Sequence, residues 1–204
     1  MEHYFKLFFD GVKKQYPKLE FPSEKINESH IAEAEKAMKL SFNKELREWF
    51  QIIGNAKFGL DEFFAGLELY NLDEMLKEWK TWRDFDSDEE LNDSQYYSSE
   101  PEGAVKCRYA NPLWIPLAHD HSSNYIGVDL DPDVNGAAGQ VIDFGRDEND
   151  KKVLAGSIKE LLQLFIQYQD ELYVEQDEDG DYYYTNEDDI HTIDWLKGKL
   201  EENT

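Results

Sequence analysis

Three runs decide the fold: Asn111-Pro112-Leu113-Trp114-Ile115-Pro116-Leu117-Ala118-His119-Asp120, then Asn124-Tyr125-Ile126-Gly127-Val128-Asp129-Leu130-Asp131-Pro132, then Gly136-Ala137-Ala138-Gly139-Gln140-Val141-Ile142. Residues 113–118, 125–130 and 140–144 are short, apolar and bounded by Asn, Asp, Gly and Pro, the signature of strands between turns. The last two are separated by Asp131-Pro132-Asp133-Val134-Asn135-Gly136, a turn rather than a crossover helix, so these strands pair antiparallel. A weaker alternation at 66–70 adds another strand.

Around this block the apolar period changes from two to about 3.6, which predicts helices on either side. Residues 4–16 align Phe5, Phe8, Phe9, Val12 and Tyr16, and Pro17 ends the run. Residues 29–40 align Ile31, Ala34 and Met38. Residues 43–53 start at the N-cap Asn43, align Leu46, Phe50 and Ile53, and stop at Gly54. Residues 72–83 follow a capping box of Asn71 with Glu74 and align Leu72, Met75, Leu76 and Trp79. A fifth helix at 157–173, capped by Ser157, carries Ile158, Leu161, Leu162, Phe165 and Tyr168. A sixth, near 188–200, carries Ile190, Ile193 and Leu200. Helices, an antiparallel sheet, then helices make an α+β domain with a sheet of about four to six strands. Trp114, Ile126, Val128, Val141 and Phe165 are expected in one core between the strands and the fifth helix.

The 204 residues suffice for one domain with extensions, and an aromatic share of 14% argues against wholesale disorder. Acids outnumber bases 45 to 21, a net charge of −24. Such a chain is repelled by nucleic acid and by anionic membranes, so a basic protein partner is favoured. The excess lies late: 84–102 holds eight acids and no base, and 170–189 is a second acidic run. One cysteine, Cys107, rules out an internal disulfide framework and a multi-thiolate zinc site. No signal peptide and no apolar run near the roughly 18 residues of a membrane span is visible, so the expected location is the cytoplasm.

No motif supports catalysis. Asp131-x-Asp133-x-Asn135-Gly136 opens like a calcium loop, but Ile142 stands where a bidentate Glu is required, so a metal-independent turn is expected. His119-Asp120-His121 could ligate a divalent ion, but Ser122, Ser123 and Asn124 make a strand-connecting turn the plainer reading. Nothing in the sequence activates Cys107 as a nucleophile. More informative are aromatics beside acids: Trp79, Trp82, Phe85, Tyr96 and Tyr97 flank the first run, and Tyr182, Tyr183 and Tyr184 sit in the second. Aromatics supply contact area, while carboxylates steer and pair with a basic partner.

The central runs resemble the SUKH superfamily, and within it the cell-wall assembly regulator (Smi/Knr) family. The shared pattern is a Trp114-x-Pro116 strand start, a strand with Gly127 ending in Asp129, an Asp131-Pro132 turn and a Gly139-Gln140-Val141-Ile142 strand. Upstream, Ile31 to Asn55 is similar to the family's early helical pair, with Glu35, Leu46 to Phe50, and Gly54-Asn55 in reversed order. Phe42 stands in the region where the family carries Pro.

The resemblance covers about 24–170, leaving an N-terminal helix at 1–23 and an acidic segment with a terminal helix at 171–204. It implies an α+β fold and no established enzyme chemistry; from the motifs themselves, no cofactor and no metal are expected. Bacterial members are similar in role to immunity proteins that neutralise a toxin, often a nuclease. Fungal members look like scaffolds in glucan-synthesis signalling with long disordered arms. No such arms are visible here, so an immunity protein is the first expectation and a cell-wall regulator the second. The expected partner-binding residues are Asp86, Asp88, Glu89, Glu90, Tyr96 and Tyr97, with the turn acids Asp120, Asp131 and Asp133.

Overall fold

The computed structural model describes residues 1–22, 25–54, 56 and 63–202, so Asn55 of the early helical pair lies outside the described residues. The three central runs become β3 (Trp114–His119), β4 (Asn124–Asp129) and β5 (Gln140–Gly145). They join β1 (Glu68–Leu69), β2 (Ser98–Glu100) and β6 (Asp150–Ala155) in a sheet ordered β1-β3-β4-β5-β6-β2. Every pairing is antiparallel except β2 with β6, which is parallel. A separate hairpin, β7 (Leu172–Gln176) with β8 (Tyr182–Asn186), and six α-helices complete the α+β architecture of the described residues.

Register divides the expected core. Trp114 is paired with Asp129, Tyr125 with Phe144, and Ile115 and Val141 each with Val128. Directly opposed residues share a face, so Trp114, Tyr125 and Phe144 point one way and Ile115, Val128 and Val141 the other. The first face meets α4 (Leu72–Arg83), whose Trp82 ring lies 5.3 Å from Tyr125 and 6.3 Å from Phe144. The opposite face is left to α5 (Ile158–Gln167), which packs on β5 and β6. Trp114, Ile126, Val128, Val141 and Phe165 are all buried in one contiguous cluster. Trp114, however, packs beside Phe144, its ring tilted 46° to that of Phe144, on the face away from α5.

The remaining helices are α1 (Glu2–Gln15), α2 (Glu28–Met38), α3 (Lys44–Ile53) and α6 (Thr192–Glu202). Asn43 accepts the Leu46 N–H at 2.8 Å, and the Asn71–Glu74 capping box is formed. Two expected boundaries move. The fifth helix stops at Gln167, because Gln169–Glu171 tighten into a 3₁₀ turn and Leu172 begins β7. The sixth starts only at Thr192: the Asn186 side chain bonds both the N–H and the C=O of Ile190, closing a turn that leaves Ile190 exposed. In the region where the resemblance leads one to expect Pro, the Phe42 N–H donates to the buried Glu35 carboxylate at 2.6 Å, a bond that a proline at 42 could not make.

The segments flanking the resemblance pack into the same core. Phe5, Phe8 and Phe9 of α1 meet Trp49, Phe63, Phe64 and Phe165. Gln15 holds β7 from the end of α1, donating to Leu172 O at 2.9 Å and accepting the Val174 N–H at 3.0 Å. Ile193, Trp195 and Leu196 of α6 are buried.

Candidate functional site

The motif residues build the fold around one turn. Asp129 accepts the Asp131 N–H at 2.8 Å and the Gln140 side-chain N–H at 2.9 Å. Burial raises the Asp129 carboxyl to about 6, against the lowering effect of these bonds. Gly139 adopts φ +98°, a conformation that favours glycine, and its N–H reaches Asp129 O at 2.7 Å. Asp131 is paired with Lys106 at 2.6 Å and accepts from Asn111 at 3.0 Å. Asn135 donates to Glu102 O, and the Asp133 N–H to Ala104 O. The turn thus has both accepting and donating partners outside itself, Lys106 and Asn111 on Asp131 and the Glu102 and Ala104 carbonyls on Asn135 and Asp133. Their bonds stitch the turn to residues 102–104.

The first acidic run is folded. Asp86 pairs with Arg108 at 2.5 Å, and Arg108 also reaches Asn92. Asp88 accepts the N–H groups of Glu90 and Leu91, fixing the local turn. Tyr97 is half-buried: its hydroxyl donates to Leu91 O at 2.7 Å, and Lys151 Nζ lies 5.3 Å from its ring centre. Glu89, Glu90 and Tyr96 are exposed, Tyr96 at 62%. Four of the seven exposed large apolar residues among those described, Phe85, Leu91, Tyr96 and Val134, lie in 84–97 or at the tip of the 131–136 turn. Val134, at 87% exposed, is missed by a reading that looks for acids and aromatics. In the second run, Tyr184 is buried and Tyr182 packs on Tyr16, so those tyrosines secure the hairpin.

Asp120 belongs elsewhere. It lies beyond the far end of β3 from Asn111 and Asp131, about 17 Å along the strand at 3.3 Å per residue. Its carboxylate accepts the N–H groups of Ser122 and Asn124 and pairs with His191 at 3.2 Å. Although burial opposes it, these contacts hold the carboxyl well below its usual range, and Asp120 in turn raises His191. Glu68 stands beside both His119 and His121. Burial and the neighbouring His121 push His119 down. Cys107 is half-buried, and burial with Asp133 pushes its thiol up, against a role as nucleophile.

Between β5, β6 and α6 sits a charge network with no sequence signature. Lys197 Nζ lies 2.6 Å from Asp143 and 2.5 Å from Glu148, and Asp143 is fully buried. Burial works against the Lys197 charge, but the two carboxylates hold its pKa at about 12. Burial, reinforced by Asp143, raises Glu148 to about 7. Lys151, also fully buried, donates to Glu148 O and is pushed down to about 8 by burial. Lys152 reaches out to Glu100 at 3.2 Å and Glu201 at 2.9 Å.

Comparison with known families agrees with this layout. The model of the SMI1 / KNR4 family (SUKH-1) matches residues 25–164. The chain belongs to that family. It is 30% identical over 176 residues to the cell wall assembly regulator SMI1 of Saccharomyces cerevisiae, covering 70% of this chain and 35% of that protein. It is 28% identical over 181 residues to a glucan synthesis regulatory protein of Neurospora crassa, covering 72% and 34% respectively. A cell wall biosynthesis/cell cycle regulator of Schizosaccharomyces pombe is 52% identical over 65 residues, 32% of this chain and 13% of that protein. The chain thus spans about a third of the length of the first two relatives. The matched region holds the whole six-stranded sheet and ends within α5; α1, the β7–β8 hairpin and α6 lie outside it. Among the described residues no helix is long and apolar enough to cross a membrane.

Proposed function

We propose that this chain is a non-catalytic, protein-binding domain that regulates cell-wall or glucan synthesis. The likeness to proteins named as regulators of those processes, across 70% of the chain in the first case, carries the reading. It displaces the immunity protein as first choice, since the matched relatives bear regulator names. The acid excess alone still fits a toxin inhibitor.

The supporting surface is 84–97, with the exposed 131–136 turn as a second segment of the same character. In 84–97, exposed Phe85, Leu91 and Tyr96 stand with Glu89 and Glu90, and the turn presents exposed Val134 near Gly103, next in sequence to Glu102. A partner with a basic rim around an apolar centre fits that surface. Asp86, Asp88 and Tyr97 brace 84–97 through their bonds to Arg108, to the Glu90 and Leu91 N–H groups and to Leu91 O, and Asp131 braces the turn through Lys106.

The test has two arms. A yeast strain lacking its own homologue is given this chain and scored for resistance to a cell-wall-perturbing dye. Separately, the chain and a Glu89→Gln/Glu90→Gln/Tyr96→Ala/Val134→Ser variant are used for affinity capture at two salt concentrations. Rescue by the parent chain, with loss of both rescue and a basic partner in the variant, is expected. Absence of rescue, together with protection of cells from a co-expressed toxic nuclease, would restore the immunity reading.

A further inference from the structure

The register of β1 against β3 sets Glu68 directly opposite His119. Opposed residues of an antiparallel pair share a face with Cβ atoms about 4.5–5.5 Å apart. His121 follows two residues later, and its left-handed backbone (φ +61°) swings its ring back to the same side. Nε2 of each imidazole then lies 3.5 Å from Oε2 of Glu68, and three donor atoms fall within 4.8 Å of one another. Tetrahedral zinc, with bonds near 2.0–2.2 Å, spaces neighbouring donor atoms by about 3.4 Å. Two edges of that arrangement already stand at this spacing.

We propose that Glu68, His119 and His121 form a divalent metal site of zinc type, with two imidazole nitrogens and one carboxylate oxygen as ligands and a fourth position open to water. The donor set selects the metal class. Two nitrogens suit zinc and its neighbours, whereas calcium and magnesium require oxygen donors throughout. The His119 side chain is 15% exposed and its ring is stacked on Tyr70 at 4.4 Å, which fixes its plane. His121 and Glu68 are each half-exposed, leaving an entry path. The turn between the histidines is held by Asp120 through Ser122, Asn124 and His191.

One contact sets the affinity. His119 Nδ1 accepts the His121 N–H at 3.2 Å, so neutral His119 carries its proton on Nε2, facing Glu68. An ion at Nε2 displaces that proton, which moves to Nδ1 and breaks the contact with His121. Loading therefore costs one hydrogen bond in the turn. That cost weakens binding, and binding switches the tautomer of His119.

The experiment titrates zinc into the full chain against a chromophoric chelator and records long-range ¹⁵N imidazole spectra. One equivalent should bind, with His119 passing from the Nε2–H to the Nδ1–H form. His119→Ala and Glu68→Gln should each weaken binding by about tenfold or more. His121→Asn should do the same, and asparagine tolerates the left-handed backbone there, so this variant decides the matter if His119→Ala fails to fold. The exposed His30→Asn control should bind as the parent does. Zinc affinity no tighter than millimolar in the folded parent overturns the proposal. So does binding that survives in His121→Asn with circular dichroism unchanged, because the ion would then be held by carboxylates elsewhere.

Discussion

Replacing Lys197 with Met tests whether the charge network locks α6 to the sheet. Lys197 Nζ stands 2.6 Å from the fully buried Asp143 and 2.5 Å from Glu148. At an effective dielectric constant near 20, a unit pair at that distance attracts by about 6 kcal/mol, and desolvation of the ammonium offsets several kcal/mol of it. Removing one partner leaves Asp143 uncompensated, so Lys197→Met should destabilise by about 3–5 kcal/mol at neutral pH. Asp143→Asn keeps an oxygen for the Lys152 N–H, which the native carboxylate accepts at 2.5 Å. The double variant Asp143→Asn/Lys197→Met should therefore recover most of the loss, by a coupling of about 2 kcal/mol or more. The pH dependence has a definite sign. Glu148 titrates at about 7 in the folded chain, above its ordinary 4.5, so the folded state takes up a proton first as pH falls. That proton relieves the repulsion between Glu148 and Asp143 that Lys197 otherwise offsets, so the penalty of Lys197→Met should shrink between pH 7 and pH 5. Urea denaturation of the four proteins at both pH values measures all of this. A penalty below about 1 kcal/mol, or strictly additive single effects, would refute the reasoning.

Four further outcomes follow from the same geometry. Trp114→Ala, removing a ring only 2% exposed, should cost about 3–5 kcal/mol in urea denaturation. Gly127→Ala should cost about 1–3 kcal/mol in the same assay, because its Cβ would meet Ile115 O at 2.5 Å and Phe144 Cε1 at 2.7 Å. Asp129, raised to about 6 from 3.8, should titrate there by carboxyl ¹³C shifts; its contribution to stability is greatest below pH 4 and falls as pH rises through 6. Against the captured partner, Glu89→Gln/Glu90→Gln should slow association and flatten its salt dependence, while Tyr96→Ala/Val134→Ser should speed dissociation in stopped-flow traces.

Local chemistry made much of this fold legible in advance. Asn43, the Asn71–Glu74 box and Ser157 announce helix starts because their side chains bond backbone groups three residues on. The turns around β4 announce strands because Asp, Pro and Gly leave few alternatives there. What stayed hidden depends on contacts far apart in sequence. β6 reads Asp150-Lys151-Lys152, a poor strand by composition, and Lys152 is accommodated because Glu100 and Glu201 arrive from far along the chain. β2 is short, at the sheet edge, and inside an acidic run. β7 looked like the end of a helix, since Leu172 continues the apolar spacing of Leu161 and Phe165 until a 3₁₀ turn breaks it. The Glu68–His119 pairing exists only through the β1–β3 register.

The same limit governs the charge. A net of −24 can be counted from the chain, but not which carboxylates remain free to meet a partner. Asp143 and Glu148 are spent on Lys197, Asp131 on Lys106, Asp86 on Arg108, Glu35 on Arg47, and Asp120 on its own turn and His191. Each pair ties two parts of the chain together, and its field is largely cancelled at short range. Long-range steering depends on net charge, whereas docking depends on carboxylates that have no internal cation and stand beside apolar area. Glu89 and Glu90 meet that second condition, with Leu91 and Tyr96 adjacent; Asp86 and Asp131, equal to them in a sequence count, do not. An acidic sequence therefore gives the total charge, and only the pairing inside the fold shows which carboxylates stay open to a basic partner of the kind proposed.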